Sequence, residues 1–453
     1  MLHAASVCLT VMALLWACRF VHRRSRLAGL MFTAGLLMRA FGAAFFLAVS
    51  YFGLPFMTRL QLGDGFWALA PDAQEYYRLG SVWNGSWQDT LMPGYVVPLA
   101  LWMRALGVNP ASPALFSLAG HAAAVVTLVA AFGQTRTRGA QQALHLVVAA
   151  FSFSPLLIYG GVFGLKDVFV TTLIVLVAVA WGTLAGAAWR RATLRTDLLA
   201  AAGAAVGIWF LAAIRTYFAL LLLAAMAVAY AGCIIGGRPS RLRAAVQAAI
   251  MLPLFALVIA GADHRYPVFV AKVVTSLPEA VIKRRAPMAH GGLDELDRRR
   301  NATDRGGGDS LITRPADTGA GDRLKRLAIG LASVFVPITV LQELSIVDIH
   351  IRTSARLVAD ADTLVLDVTA VLALWLLIVN RSRINFDSLT FAAALAVLVA
   401  LPLGYVMTNY GTLIRLRLMV AAPIWLLTLA LGPGLAASRA PSQAPRPDPA
   451  PTQ

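Results

Sequence analysis

The sequence predicts an all-α polytopic membrane protein, and three observations predict it. Of 453 residues, 59% are hydrophobic and only 13% are charged, with a mean hydropathy of +0.71. A soluble domain is about a quarter charged and about half apolar, and a soluble fold of this length could not enclose the surplus. The apolar residues gather in runs near the length that crosses a bilayer, about 20 residues. Lys and Arg concentrate in alternate short connections between those runs, the mark of loops held in the cytoplasm. These features exclude a cytosolic enzyme, a nucleic-acid module and a disordered chain.

The runs fall at 2–20, 27–53, 113–132, 141–159, 168–186, 198–214, 216–235, 244–261, 363–379, 387–407 and 418–434, which gives about 11 transmembrane helices. Basic residues follow the first run rather than precede it, and no small-residue cleavage site comes after it. It reads as a retained helix, not a signal peptide. The net charge of +17 belongs to the loops and does not signal nucleic acid. Cys8, Cys18 and Cys233 lie in apolar stretches and form neither a zinc nor a disulfide pattern.

Five short loops set the sidedness. They carry Arg23, Arg24 and Arg26; Arg136 and Arg138; Arg190, Arg191 and Arg195; Arg238, Arg241 and Arg243; Arg381 and Arg383. Placing them in the cytoplasm puts the N-terminus outside. The apolar stretch 93–107 is short and contains Pro93, Pro98 and Arg104; it reads as a juxtamembrane helix in the outer interface. A transmembrane domain then spans 1–436. Its first periplasmic loop is 54–112 and its second large outer segment is 262–362, polar and Gly-rich before amphipathic stretches at 327–362. Residues 437–453, rich in Pro, Ala, Ser and Gln, read as a disordered cytoplasmic tail.

The first outer loop is the most informative stretch. It sets Asp64, Asp72, Glu75 and Asp89 among Phe66, Trp67, Tyr76, Tyr77, Trp83, Trp87 and Tyr95. Carboxylates amid aromatics suit sugar chemistry, because a carboxylate takes the proton of an attacking hydroxyl and rings cover the apolar faces of a pyranose. Asp72 has a second reading: Pro71-Asp72-Ala73-Gln74-Glu75 fits a helix start with Asp72 as N-cap and Glu75 at the capping-box position. Asp64, in Leu-Gly-Asp-Gly, reads as a turn residue and stands second as a catalytic candidate.

Cations at the outer helix ends form the other feature. Lys166 and Asp167 lie in GLKDVF, Arg215 in AAIRTYF, and Arg415 with Arg417 in NYGTLIRLR. That side should be poor in Lys and Arg. Either the four snorkel, or they converge on a phosphate or diphosphate. Asp167 begins a helix, where the dipole favours a carboxylate. Arg39 and Arg104 read as snorkelling or packing within the bundle. The triplets Lys283-Arg284-Arg285 and Arg298-Arg299-Arg300 read as solvated surface or as contacts to anionic headgroups. His264, His290 and His350 are too scattered for a metal site, and no motif demands a metal, a nucleotide cradle or another cofactor.

Four stretches resemble the type C glycosyltransferase superfamily (GT-C), in particular bacterial membrane proteins related to protein mannosyltransferases. They are PDAQEYYRLGSVWNGSW followed by PGYVVPLALWMRALGVNP, then SPLLIYGGVFGLKD, GGGDSLI with the later LASVFVPI, and NYGTLIRLRLMVAAPI. The resemblance implies an integral transferase of the bacterial inner membrane with its active site facing the periplasm. Its donor would be a sugar on a polyprenyl phosphate, and its acceptor a periplasmic or lipid-linked glycan in cell-surface polysaccharide synthesis. Asp72 would be the catalytic base, with inversion at the anomeric carbon. Lys166, Arg215, Arg415 and Arg417 would bind the donor phosphate, and Glu75, Tyr76, Tyr95 and Asp167 the sugar or acceptor.

Two alternatives stand beside this reading. One is a polysaccharide polymerase or ligase using a diphosphate-linked glycan. The other is a lipid or glycan transporter, which requires charges along a path through the bilayer midplane.

Overall fold

Each apolar run is helical over most of its described residues. The structure, a computed structural model, describes residues 2–83, 94–133, 138–187, 194–235, 241–262, 320–344, 353–380, 386–406 and 410–431. Within them the order is α1 (Leu2–Arg24), α2 (Arg26–Tyr51), β1 (Gln61–Gly63), β2 (Phe66–Trp67), α3 (Pro71–Val82), α4 (Val96–Leu106), α5 (Ser112–Phe132), α6 (Arg138–Phe153) and α7 (Pro155–Phe163). Then come α8 (Lys166–Ala187), α9 (Leu194–Ile235), α10 (Arg241–Ala262), α11 (Ala320–Phe335), α12 (Ile338–Glu343), α13 (Thr353–Asn380), α14 (Phe386–Val406) and α15 (Tyr410–Leu431). Much of segment 262–362, both basic triplets and the tail lie outside the described residues.

The fold is that of an all-α polytopic membrane protein. Among the described residues, Arg26–Tyr51, Ser112–Phe132, Lys166–Leu184, Leu198–Ile235 and Arg241–Ala262 are long and apolar enough to cross a bilayer. The pair α6 and α7, bent by 47°, makes a sixth when taken as one span. One apolar core joins residues from α1, α2, α5 to α11 and α12 to α15, while residues such as Phe41, Leu257 and Val371 face outward, at 71%, 70% and 65% exposed.

α9 is two helices. Arg215 adopts φ −150°, ψ 79° inside it, and the chain doubles back there. A Cβ built on Gly207 would lie 2.5 Å from Val177, and the Tyr230 ring lies 5.9 Å from that of Trp181. Val177 and Trp181 are one turn apart on α8, whereas 23 residues of straight helix would separate Gly207 from Tyr230 by about 35 Å. The predicted boundary between runs 198–214 and 216–235 coincides with this reversal.

The run 141–159 departs from expectation, because it is broken at Ser154. Pro155 has no N–H to give and pushes the residue before it out of the helical region; Ser154 accordingly has φ −56°, ψ 119° and caps α7, its Oγ accepting from Leu157 N at 3.2 Å. Charged side chains take up the polar groups the break exposes. Arg39 donates to the carbonyls of Ser152 (2.6 Å) and Phe151 (2.8 Å) at the end of α6. Asp362 accepts from Ser154 Oγ (2.6 Å) and Leu156 N (3.3 Å) at the start of α7. A cation at a helix C-terminus and an anion at an N-terminus are both favoured by the backbone dipoles. Arg39 therefore packs inside the bundle and does not snorkel.

Candidate functional site

The first loop folds into a cap over one end of the bundle. β1 and β2 pair antiparallel, Gln61 opposite Trp67 and Gly63 opposite Phe66, and Gly63-Asp64-Gly65 makes the turn with φ of 86°, 52° and 89°. Asp64 is thus the turn residue that its sequence context predicts, tolerating the left-handed region as Asp can. The Trp67 indole donates to Phe46 O (2.8 Å) and Ser50 donates to Phe66 O (2.7 Å), which fixes the hairpin to α2.

α3 begins two residues earlier than the capping-box reading expects. Pro71 is the first helical residue, where its fixed φ suits the helix; Ala70 takes the N-cap position without a side-chain cap. Asp72 is therefore inside the first turn, half-buried, and not the N-cap. Glu75 pairs with Arg78, one turn on, at 2.7 Å. That hydrogen bond holds the Glu75 carboxyl below its usual range. The pair is exposed on the surface of α3, so Glu75 is engaged away from the buried face.

That buried face leads to the cations. Tyr76 follows Asp72 by one turn and is buried. Lys166 Nζ lies 5.4 Å from the centre of its ring, and the Tyr95 ring meets it at 5.1 Å, edge to face. Tyr95, fully buried, donates through its hydroxyl to Gly164 O at 3.3 Å and packs on Phe116 and Phe169. Burial pushes the Tyr95 phenol up, which keeps it protonated. Both rings, expected to bind sugar or acceptor, are buried here and join α3 and α4 to α8.

Arg215 reaches the same place from the reversal of α9. Its guanidinium donates to Asp167 Oδ1 at 3.0 Å and to Tyr217 Oη at 2.8 Å. The pair is nearly closed to solvent, with side-chain exposures of 14% for Arg215 and 7% for Asp167. Gly94 makes the approach possible: a Cβ there would lie 2.2 Å from Ala213 O. Gly164, at φ 70°, ends α7 and leaves room for Pro113. First-loop residues, the start of α8 and the reversal of α9 thus meet in one cluster of Tyr76, Tyr95, Lys166, Asp167 and Arg215. Tyr217, 38% exposed, joins it; the sequence signal was its place two residues after Arg215.

Arg417 is elsewhere. It is fully buried and donates to Ala359 O (2.7 Å) and Ser333 O (2.6 Å), tying α15 to α13 and α11. Arg415 lies on α15, and its side chain is outside the described set. Arg104 donates to Trp83 O and stacks on the Trp83 ring at 4.8 Å, fixing α4 to the end of α3. Among the described residues no group of His, Cys, Asp or Glu could hold a metal.

Behind the first turn of α3 lies an apolar cavity of about 200 Å³ between α2, α5 and α7. Ala43, Phe66, Ala73, Leu118 and Phe163 are among its lining residues. The half-buried carboxylate of the cap thus lies one turn from Tyr76 and its charged cluster, with an apolar recess between the cap and the helices beneath it. No family model, curated protein or solved structure matches the chain.

Proposed function

We propose that this chain is an integral membrane glycosyltransferase that moves a sugar from a polyprenyl-phosphate donor to a periplasmic or lipid-linked glycan acceptor, with inversion. The reading takes all eleven apolar runs as crossings, the second leg of α9 among them, with the first loop facing the periplasm of a bacterial inner membrane. The observation that carries it is the convergence of α3, α4, the start of α8 and the reversal of α9 on Tyr76, Lys166, Asp167 and Arg215, one turn from Asp72. Asp72 is the general base that accepts the acceptor hydroxyl proton as the oxygen attacks the anomeric carbon. Lys166 and Arg215 stabilise the phosphate as its negative charge grows with departure of the sugar. The apolar cavity suits the hydrocarbon of a lipid-linked substrate.

The test is direct. Purified protein in liposomes is given a polyprenyl-phosphate donor carrying a radiolabelled sugar and an extracted glycan acceptor. Label should pass to the acceptor with wild-type protein and not with Asp72→Asn at equal reconstitution. Transfer by Asp72→Asn at the wild-type rate excludes this base.

One observation favours a transporter as the second reading. The break between α6 and α7, with Arg39 and Asp362 at its two ends, matches the discontinuous helices that mark transport sites. Both ends are already taken by the protein's own charges, which suits a structural break better.

A further inference from the structure

Proline separates α6 from α7 and α11 from α12, and both breaks are closed in the same way. In a continuous helix the N–H of residue i bonds the carbonyl of residue i−4, a bond that proline cannot make. Pro155 at the α6–α7 break thereby releases Phe151 O, which accepts from Arg39 Nη2 at 2.8 Å. Pro337 at the α11–α12 break releases Ser333 O, which accepts from Arg417 Nη2 at 2.6 Å. Both arginines are fully buried. Beyond each break an aspartate takes the freed donors. Asp362 accepts from Ser154 Oγ at 2.6 Å and Leu156 N at 3.3 Å. Asp360 accepts from Ile338 N at 2.6 Å, Thr339 N at 3.3 Å and the Thr339 hydroxyl. Each break thus has a cation on the helix end before it and an anion on the helix start after it, as the backbone dipoles favour.

The two aspartates belong to one turn of α13. Successive residues of a helix are rotated by about 100°, so Asp360 and Asp362 project on opposite sides, and α13 is wedged between α12 and α7. The same turn supplies Ala359 O, which accepts from Arg417 Nη1 at 2.7 Å. Arg417 therefore holds α11 to the α13 turn whose Asp360 holds α12. On the other side, α7 runs from its Asp362 contact to the cap, where the Tyr159 hydroxyl donates to Leu69 O. A helical turn is stiff and a protein interior is close-packed. A shift of α13 toward one break draws its carboxylate out of the other.

We propose that α13 couples the two proline breaks into one conformational linkage, with Asp360 and Asp362 as its two arms, so that opening at α12 is transmitted to α7 and through it to the cap. The linkage is independent of the glycosyltransferase reading and needs no substrate.

Hydrogen exchange tests it, followed by mass spectrometry on the full chain in lipid nanodiscs. Asp360→Ala removes the arm bonded to α12 and leaves Asp362 in place. The amides of residues 156–163 in α7 should then exchange about fivefold faster, because local opening sets their rate. Those of α10, which packs on α9, should keep the wild-type rate. Thr339→Val removes one bond to Asp360 and keeps the carboxylate, and it applies the same test if Asp360→Ala does not fold. Exchange in α7 at the wild-type rate overturns the proposal. An equal rise in α7 and α10 marks general loosening and overturns it too.

Discussion

Asp167 and Arg215, 48 residues apart in sequence, form a nearly enclosed ion pair at 3.0 Å, and that pair fixes the reversal of α9 to the start of α8. Breaking such a pair strands a charge in a poor solvent, at about 3–5 kcal/mol. Arg215→Ala should therefore lower the thermal midpoint markedly. Asp167→Ala combined with Arg215→Ala should recover much of the loss, because neither charge is then left alone. Equal losses in the single and double variants would mean that the pair is not coupled.

Gly94 tests how α4 docks. Gly94→Ala drives a methyl into the Ala213 carbonyl, and both sides of that contact are backbone. It should separate the cap from α9 and reduce both stability and transfer. Gly182→Ala is the control: nothing lies within 4 Å of a Cβ there, and Ala in a helix interior gains up to about 1 kcal/mol over Gly.

Glu75 should matter little. Its carboxyl is held low by the Arg78 hydrogen bond, so whatever the pair contributes is present above the unfolded carboxylate pKa and lost as pH falls through the lower folded value. Both side chains are exposed, and exposed pairs add little. Melting curves of wild type and Glu75→Gln should run parallel from neutral pH down to pH about 4. A midpoint gap that opens at neutral pH and closes in acid would show the pair to be strong.

Arg417 separates structure from catalysis. Its two bonds to carbonyls on α11 and α13 predict that Arg417→Met lowers the thermal midpoint and leaves the donor KM unchanged. A raised donor KM at normal stability would return Arg417 to the phosphate site.

Sidedness is tested by thiol labelling in intact cells, in a background without the native cysteines. Gln74→Cys on α3 should react with an impermeant reagent, and Arg24→Cys beside the α1–α2 turn should react only after lysis. The opposite pattern reverses the orientation.

Much of the helical architecture was legible in the sequence because hydrophobic runs act locally. The helix at Val96–Leu106, the turn at Asp64 and the boundary at Arg215 all followed from residues within a few positions. The break at Ser154 was also local in origin, since Pro155 causes it, yet the run stays apolar across it and periodicity alone does not reveal it. The site was less legible. That Lys166, Asp167 and Arg215 gather around Tyr76, while Arg417 turns inward to backbone carbonyls, depends on which helices pack together. The sequence places all four cations at helix ends and cannot rank them. The capping-box pattern at Asp72 misled because Pro71 competes for the first helical position.

The most direct test of the central claim is the donor KM of Lys166→Ala. If the cluster beside Tyr76 holds the donor phosphate, losing a charge-assisted contact of about 1.5–3 kcal/mol should raise that KM by about ten- to a hundredfold with the acceptor KM unchanged. A donor KM equal to that of wild type, in a variant that folds and transfers sugar, would contradict the account.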